Sequence, residues 1–258
     1  FDGFSSCAVN DTKFVYNTAG KKGGAVGVSS GLRIASVEFH RCLIHNCTTG
    51  WPFEDDPQGE GGAIVVGAET TVVFEDCMVT NNYCGKKGGA VLLTSGDNWE
   101  VPGGTMIIRN STFAGNIADL DSAGAVYLNE YSVVHFEGGG NHFTMNACKD
   151  FGGVVAATTN TNITVEGGLF ENNEAKEGGG VFWTKGKLNI TGGNFSKNDG
   201  SDNGGVVFAS QESSVALYNG HFEDNIANDG GVVFVDKDAK LVVHGGVYTE
   251  NEARNGGG

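Results

Sequence analysis

A pair of glycines followed by small and β-branched residues returns along the whole chain, and nothing else in the sequence restricts the fold as much. It occurs at Gly23-Gly24-Ala25-Val26, Gly61-Gly62-Ala63-Ile64 and Gly88-Gly89-Ala90-Val91, and as Ala123-Gly124-Ala125-Val126. It continues at Gly152-Gly153-Val154-Val155, Gly179-Gly180-Val181-Phe182, Gly204-Gly205-Val206-Val207 and Gly230-Gly231-Val232-Val233, and starts again at Gly256. From Gly152 onward the copies begin 27, 25, 26 and 26 residues apart, while the earlier steps of 38, 27, 35 and 29 carry insertions. A second motif precedes each pair: an apolar residue, two variable ones, then Asn. It spans Phe14 to Asn17, Leu43 to Asn46, Met78 to Asn81, Phe113 to Asn116 and Phe143 to Asn146. The later copies span Phe170 to Asn173, Phe195 to Asn198, Phe222 to Asn225 and Tyr248 to Asn251.

A unit of about 26 residues is too short for a domain. It is also too rich in glycine and β-branched residues for a pair of helices. Runs such as Val232-Val233-Phe234-Val235 and Leu241-Val242-Val243 read as short strands between turns. Three such strands per unit predict one coil of a parallel β-helix, whose coils stack about 4.8 Å apart. The expectation is an all-β chain: a single right-handed solenoid domain over 1–258, of about nine coils, with insertions near 50–60 and 95–104. Nine coils make a rod of roughly 40 Å.

Each motif then has a structural role. The third and fifth residues after the first Gly, such as Val26 and Val28, Ile64 and Val66, or Val126 and Leu128, form inward aliphatic columns. The motif Phe begins another column. The Asn three residues later suits a corner with left-handed backbone angles, bonded to its counterpart one coil away. The Gly pair turns the backbone where a Cβ would clash.

The composition narrows the class. Glycine is 43 of 258 residues, but it follows no strict three-residue period, so a collagen helix is excluded. No apolar run reaches the ~18 residues of a membrane-spanning helix. The net charge of −15 argues against nucleic acid as a partner. The chain opens on Phe1, so it is expected to be processed or part of something longer.

The alternation of GGA(I/V/L) with FxxN, from Phe14 to Gly258, resembles the repeat of the polymorphic outer membrane proteins. Those repeats are best known from chlamydial surface adhesins. The later copies here drift to GGV, and Leu43, Met78 and Tyr248 replace the Phe. The resemblance implies a β-helical surface rod for adhesion or self-association. The membrane barrel of that family has no matching segment in these residues.

Two features bear on the compartment. Sequons occur at Asn10, Asn46, Asn110, Asn162, Asn189 and Asn194. Of these, Asn10, Asn110, Asn162, Asn189 and Asn194 are the expected N-glycosylation sites; the last four neighbour core columns and should point outward. Asn46, taken as a ladder residue, should stay unmodified. Cys42 and Cys77 hold equivalent positions in consecutive coils, and Cys47 and Cys84 hold nearly equivalent ones. Stacked positions lie within disulfide reach, so bonds are expected inside this set, between coils or locally. Cys7 and Cys148, about four coils apart, should be free or bonded to another chain. An extracellular location follows from these expectations.

No catalytic residues, cofactor or metal site are expected. Parallel β-helices include pectin lyases and polygalacturonases, but the clustered Asp, Lys, Arg or His of such sites is missing from the outward strand positions. The Glu54-Asp55-Asp56 run reads as a solvated loop, and the set His40, Cys42, His45 and Cys47 closes poorly around zinc.

The surface offers partner contacts instead. The fourth residue after the first Gly reads Gly27, Val65, Leu92, Tyr127, Ala156, Trp183, Phe208 and Phe234, with Ala or Val at the second. If the alternate positions line the core, these make an outward apolar stripe, with Tyr127, Trp183, Phe208 and Phe234 as interface candidates. Trp51, Phe53 and Trp99 in the insertions are further candidates. The expected function is an extracellular, self-assembling, non-catalytic rod, the subunit of a filament or surface layer. The alternative is an adhesin stalk that binds host protein or glycan, and a polysaccharide lyase or hydrolase is a distant third.

Overall fold

A computed structural model describes residues 5–28, 35–50, 59–95 and 101–257. Among the described residues every regular element is a β-strand, and every named pairing is parallel. The strands stack into a solenoid. One face is a nine-stranded sheet from Ser5–Asn10 to Lys240–Val243, and a second nine-stranded sheet runs from Lys13–Val15 to Val247–Thr249. Nine stacked strands enclose about eight full turns, close to the expected nine coils.

A coil has four strands, not the three expected, save the coil of Lys187–Ile190, whose third face is a single bridge at Asp199. Between the second face and the Gly pair lies a narrow third face of two-residue strands, from Thr18–Ala19 to Glu174–Ala175. Bridges through Asp199 carry it on to Ile226–Asp229 and Glu252–Gly256. The fourth face is eight-stranded, from Val26–Val28 to Val233–Val235. Strands this short carry no periodicity, which is why the third face was invisible in sequence.

Register makes the core. On the second face Phe113, Phe143, Phe170, Phe195, Phe222 and Tyr248 are successive partners. From Phe143 to Tyr248 the ring centroids step 4.9, 4.8, 4.8 and 4.8 Å, near-parallel throughout. That spacing is the rung repeat itself, so backbone pairing and ring stacking are satisfied at one distance. The first face adds Phe39, Phe74 and Phe136, and the fourth adds Ile64, Val91, Val126, Val155, Phe182 and Val207, all fully buried.

Two early copies sit one residue out of the expected register. Ile44, not Leu43, pairs with Phe14, and Val79, not Met78, pairs with Phe113. Ile44 and Val79 are fully buried, whereas Met78 is 53% exposed. A bulky Met looked like the column residue, but strand alternation places it outside.

The residue after the Gly pair also points differently from the expectation. Ala63, Ala90, Ala125, Val154, Val181 and Val206 lie in the main core beside their strand neighbours. The chain is still turning there: the N–H groups of Ala63 and Ile64 both donate to the Ala90 carbonyl, so alternation begins only one residue later. Inside this corner Gly88 takes φ +69°, and a Cβ on Gly89 would collide with the Gly124 carbonyl one coil on.

Candidate interaction surfaces

The corner after the second face holds a buried asparagine ladder. Its members are Asn82, Asn116, Asn146, Asn173, Asn198 and Asn225, continued by the half-buried Asn251. Asn146 shows the pattern. Its N–H and its Nδ2 both donate to Asn173 Oδ1, at 3.0 and 3.1 Å, and Nδ2 also donates to the Phe113 carbonyl at 2.9 Å. Each amide therefore ties three coils together and satisfies a corner carbonyl that would otherwise be buried without a donor.

The left-handed residue is not the ladder Asn but the one before it. Tyr16, Asn46, Asn81, Met145 and Asn172 take φ values of 58°, 52°, 55°, 52° and 54°. Asn46 is thus the turn residue, and Cys47 takes the ladder place in that coil. The Cys47 N–H donates to Asn82 Oδ1 at 2.9 Å, Asn17 Nδ2 donates to its sulfur at 3.7 Å, and its thiol reaches the Phe14 carbonyl at 3.6 Å. The premise on which Asn46 was kept unmodified therefore falls.

The cysteines are all unbonded thiols. Cys42 and Cys77 stack in consecutive coils as expected, the Cys42 N–H donating to Cys77 Sγ at 3.4 Å. Each thiol turns to a carbonyl of the preceding coil, Cys42 to Val9 at 3.3 Å and Cys77 to Phe39 at 3.2 Å. Cys47 and Cys84 are not equivalent. Cys84 belongs to the third face, with Thr49, Ala118, Cys148 and Ala175 in its column, and Ala118 separates its rung from that of Cys148. Burial pushes the Cys77 thiol up to about 11, against the Cys42 backbone N–H that donates to it, and raises Cys84 and Cys148 further. Cys7 is exposed.

The apolar stripe exists, but the same chain covers it. Leu92, Tyr127, Ala156, Trp183 and Phe208 are buried at 1, 6, 0, 8 and 9% exposure, in a second core outside the fourth face. The segment before each Gly pair folds back over the strand. Phe151 stacks on Trp183 at 5.2 Å and meets Phe208 edge-on at 5.8 Å. Gly178 leaves room for the Phe208 ring, Lys87 lies over Tyr127 at 4.8 Å, and Lys185 lies over Trp183 at 5.3 Å. Phe234 is only partly buried. Trp51, Phe53 and Trp99 lie outside the described residues, as does the Glu54-Asp55-Asp56 run.

The outer edge of the first face stacks polar side chains coil by coil: His40, Glu75, Arg109 and Glu137 are successive partners. His40 Nδ1 lies 2.9 Å from Glu75 and Arg109 Nε 2.7 Å from Glu137. At the adjoining corner Arg41 grips Asp11 with two bonds, which hold the Asp11 carboxyl below its usual range. Exposed pairs of this kind set register more than stability. The set considered for zinc diverges: His40 is engaged with Glu38 and Glu75, His45 with Thr80, and both cysteines face inward.

The sequon asparagines lie outward of the core. Asn10, Asn110 and Asn194 are exposed, and Asn162 and Asn189 are half-buried beside the buried Ile163 and Ile190. Asn110 donates to Asp76 Oδ1. The carboxylates of Glu223, Asp224 and Glu250 lie within 4.8 Å of one another, a cluster sequence reading missed because its members come from two coils. No helix among the described residues is long and apolar enough to cross a membrane. The chain matches no family model, no curated protein and no solved structure.

Proposed function

We propose that this chain is an extracellular structural rod that associates with itself into a filament or surface layer, and that its side chains serve cohesion and not catalysis. The observation that carries the reading is what the repeated side chains do. Phe, Asn and Gly columns are spent on contacts between coils, and the apolar stripe that could have met a partner is consumed within the rod.

The rungs also suggest how copies join. The last rung carries the same columns as those before it, yet Val243 and Val247 are 53 and 52% exposed and Tyr248 is 40% exposed, with Phe222 stacked on one side only. A rung laid on that face would bury them and pair the open strand edges, whether it came from further repeats or from another copy. The likeness of the motif to a surface-adhesin repeat supports a cell-surface setting, and the outward sequons support N-glycosylation.

Sedimentation and negative-stain imaging at micromolar concentration test this. Rods that lengthen with concentration are expected. Because copies with a net charge of −15 repel one another, lengthening should increase with salt. Monodisperse 26.8 kDa particles at every concentration and salt level would overturn the self-association reading.

A further inference from the structure

One corner of the rod carries a reactive side chain where its neighbours carry none. The two residues that lead from the first face into the second are Gly167-Gly168, Gly192-Gly193 and Gly245-Gly246 in three of the late coils. Between them in the stack stands Asn219-Gly220, in the same places, because Leu169, Asn194, His221 and Val247 are successive partners. The second residue of each pair takes a φ of 117°, 113°, 137° or 114°, which glycine alone adopts readily. Gly220 is therefore fixed by the fold, and the exposed Asn219 side chain is the departure.

The chain is pinned on both sides of this pair. The Tyr218 N–H donates to the Ile190 carbonyl at 2.8 Å, and the His221 N–H donates to the Gly193 carbonyl at 2.9 Å. Between them the Gly220 N–H turns to Oδ1 of its own neighbour, Asn219, at 2.9 Å. The side-chain carbonyl is thus folded over the next backbone nitrogen, the one nucleophile able to close a five-membered ring on it. Asn-Gly occurs at two other places, and both are held differently. The buried Gly204 N–H donates to the Asp229 carbonyl of the next coil at 2.9 Å, and Asn203 Nδ2 turns away to the Glu177 carbonyl at 3.3 Å. Asn255 lies within the paired strand Glu252–Gly256.

We infer that Asn219 is a site of spontaneous modification, at which the native corner converts asparagine to aspartate and isoaspartate. Hydroxide takes the Gly220 amide proton, and the nitrogen attacks Asn219 Cγ. The N–Cγ bond forms, the Cγ–Nδ2 bond breaks, and Nδ2 takes up a proton and leaves as ammonia. Water then opens the cyclic imide at either carbonyl. The balance is one water consumed and one ammonia released, with no oxidant or reductant. Glycine puts no Cβ in the path of the attack, and the anchored flanks hold the two groups together, so little ordering remains to be done. Each event adds one negative charge, and the isoaspartyl product lengthens the corner by one methylene. This inference does not depend on self-association, and either reading can fail without the other.

The test ages the native protein in mildly alkaline buffer, digests samples with pepsin in acid to stop the reaction, and assigns each exchange of NH2 for OH by fragment mass spectrometry. At Asn203 the Gly204 nitrogen must first give up a buried hydrogen bond, so Asn219 should react about tenfold or more faster. The Asn219 rate should rise with pH, because the deprotonated amide is the nucleophile. In urea the two sites should react at similar rates, since the difference belongs to the fold. Asn219→Gly gives this coil the corner of its neighbours, and the early acidic band on isoelectric focusing should disappear. Equal rates at Asn203 and Asn219 in the native protein, an undiminished lead of Asn219 in urea, or an early acidic band that survives Asn219→Gly would each overturn the inference.

Discussion

At the residue scale, each buried ladder asparagine accepts from the coil before it and donates to the coils on both sides. Asn173 accepts from the Asn146 N–H and Nδ2 and donates to Asn198 Oδ1 and the Phe143 carbonyl. Truncation strands several buried groups at about 1–3 kcal/mol each, so Asn173→Ala should cost about 3–5 kcal/mol in urea unfolding. Cys47 is the natural contrast, since its coil already has the ladder geometry. Cys47→Asn should complete the column between Asn17 and Asn82 and leave stability unchanged or raise it by about 1 kcal/mol. The thiols make a second contrast. The Cys77 thiol is pushed up to about 11 by burial, so at pH 8 it is protonated as well as inaccessible. Alkylation of the native protein at that pH should therefore modify Cys7 first and spare the five buried cysteines until the chain unfolds, as mass spectrometry would show. Rapid native labelling of Cys42 or Cys77, or an intact mass lower by the hydrogens of a disulfide, would contradict the thiol arrangement.

At the scale of single elements, register decides which apolar residue matters. Met78→Ala should change stability by no more than about 0.5 kcal/mol, and Val79→Ala should cost roughly 2 kcal/mol, because only Val79 lies in the column. Trp183→Ala should cost about 3–5 kcal/mol and behave as a core mutation, not an interface mutation, since Phe151 and Lys185 already cover the indole. These positions also mark how far the sequence could be read. The Gly pair and the FxxN run gave the stacking, the aliphatic columns and the stacked Cys42 and Cys77, because each repeats at a fixed place in the coil. The early copies misled, because Leu43-Ile44 and Met78-Val79 offer two adjacent apolar residues and Asn81-Asn82 two asparagines. The covering of the stripe was hidden for another reason. It comes from Phe151, which precedes its Gly pair and repeats no pattern, and from Ala123, which stands in the first Gly place of its own copy.

At the scale of the molecule, stability is carried coil by coil, each rung touching mainly those above and below. Ring stacks and amide ladders running along one axis make adding a rung the same event at every step. That supports both a long rod within one chain and end-to-end growth between chains. It also means that the account stands or falls on whether the ladder is sealed inside the stack. Hydrogen exchange of asparagine side-chain amides, followed by NMR in the native protein, tests this most directly. The Nδ2 protons of Asn116, Asn146, Asn173 and Asn198 should exchange only on the timescale of opening the coils, while those of Asn46 and Asn81 exchange quickly. Fast exchange at the four ladder positions, or protection at Asn46 and Asn81 in their place, would contradict it.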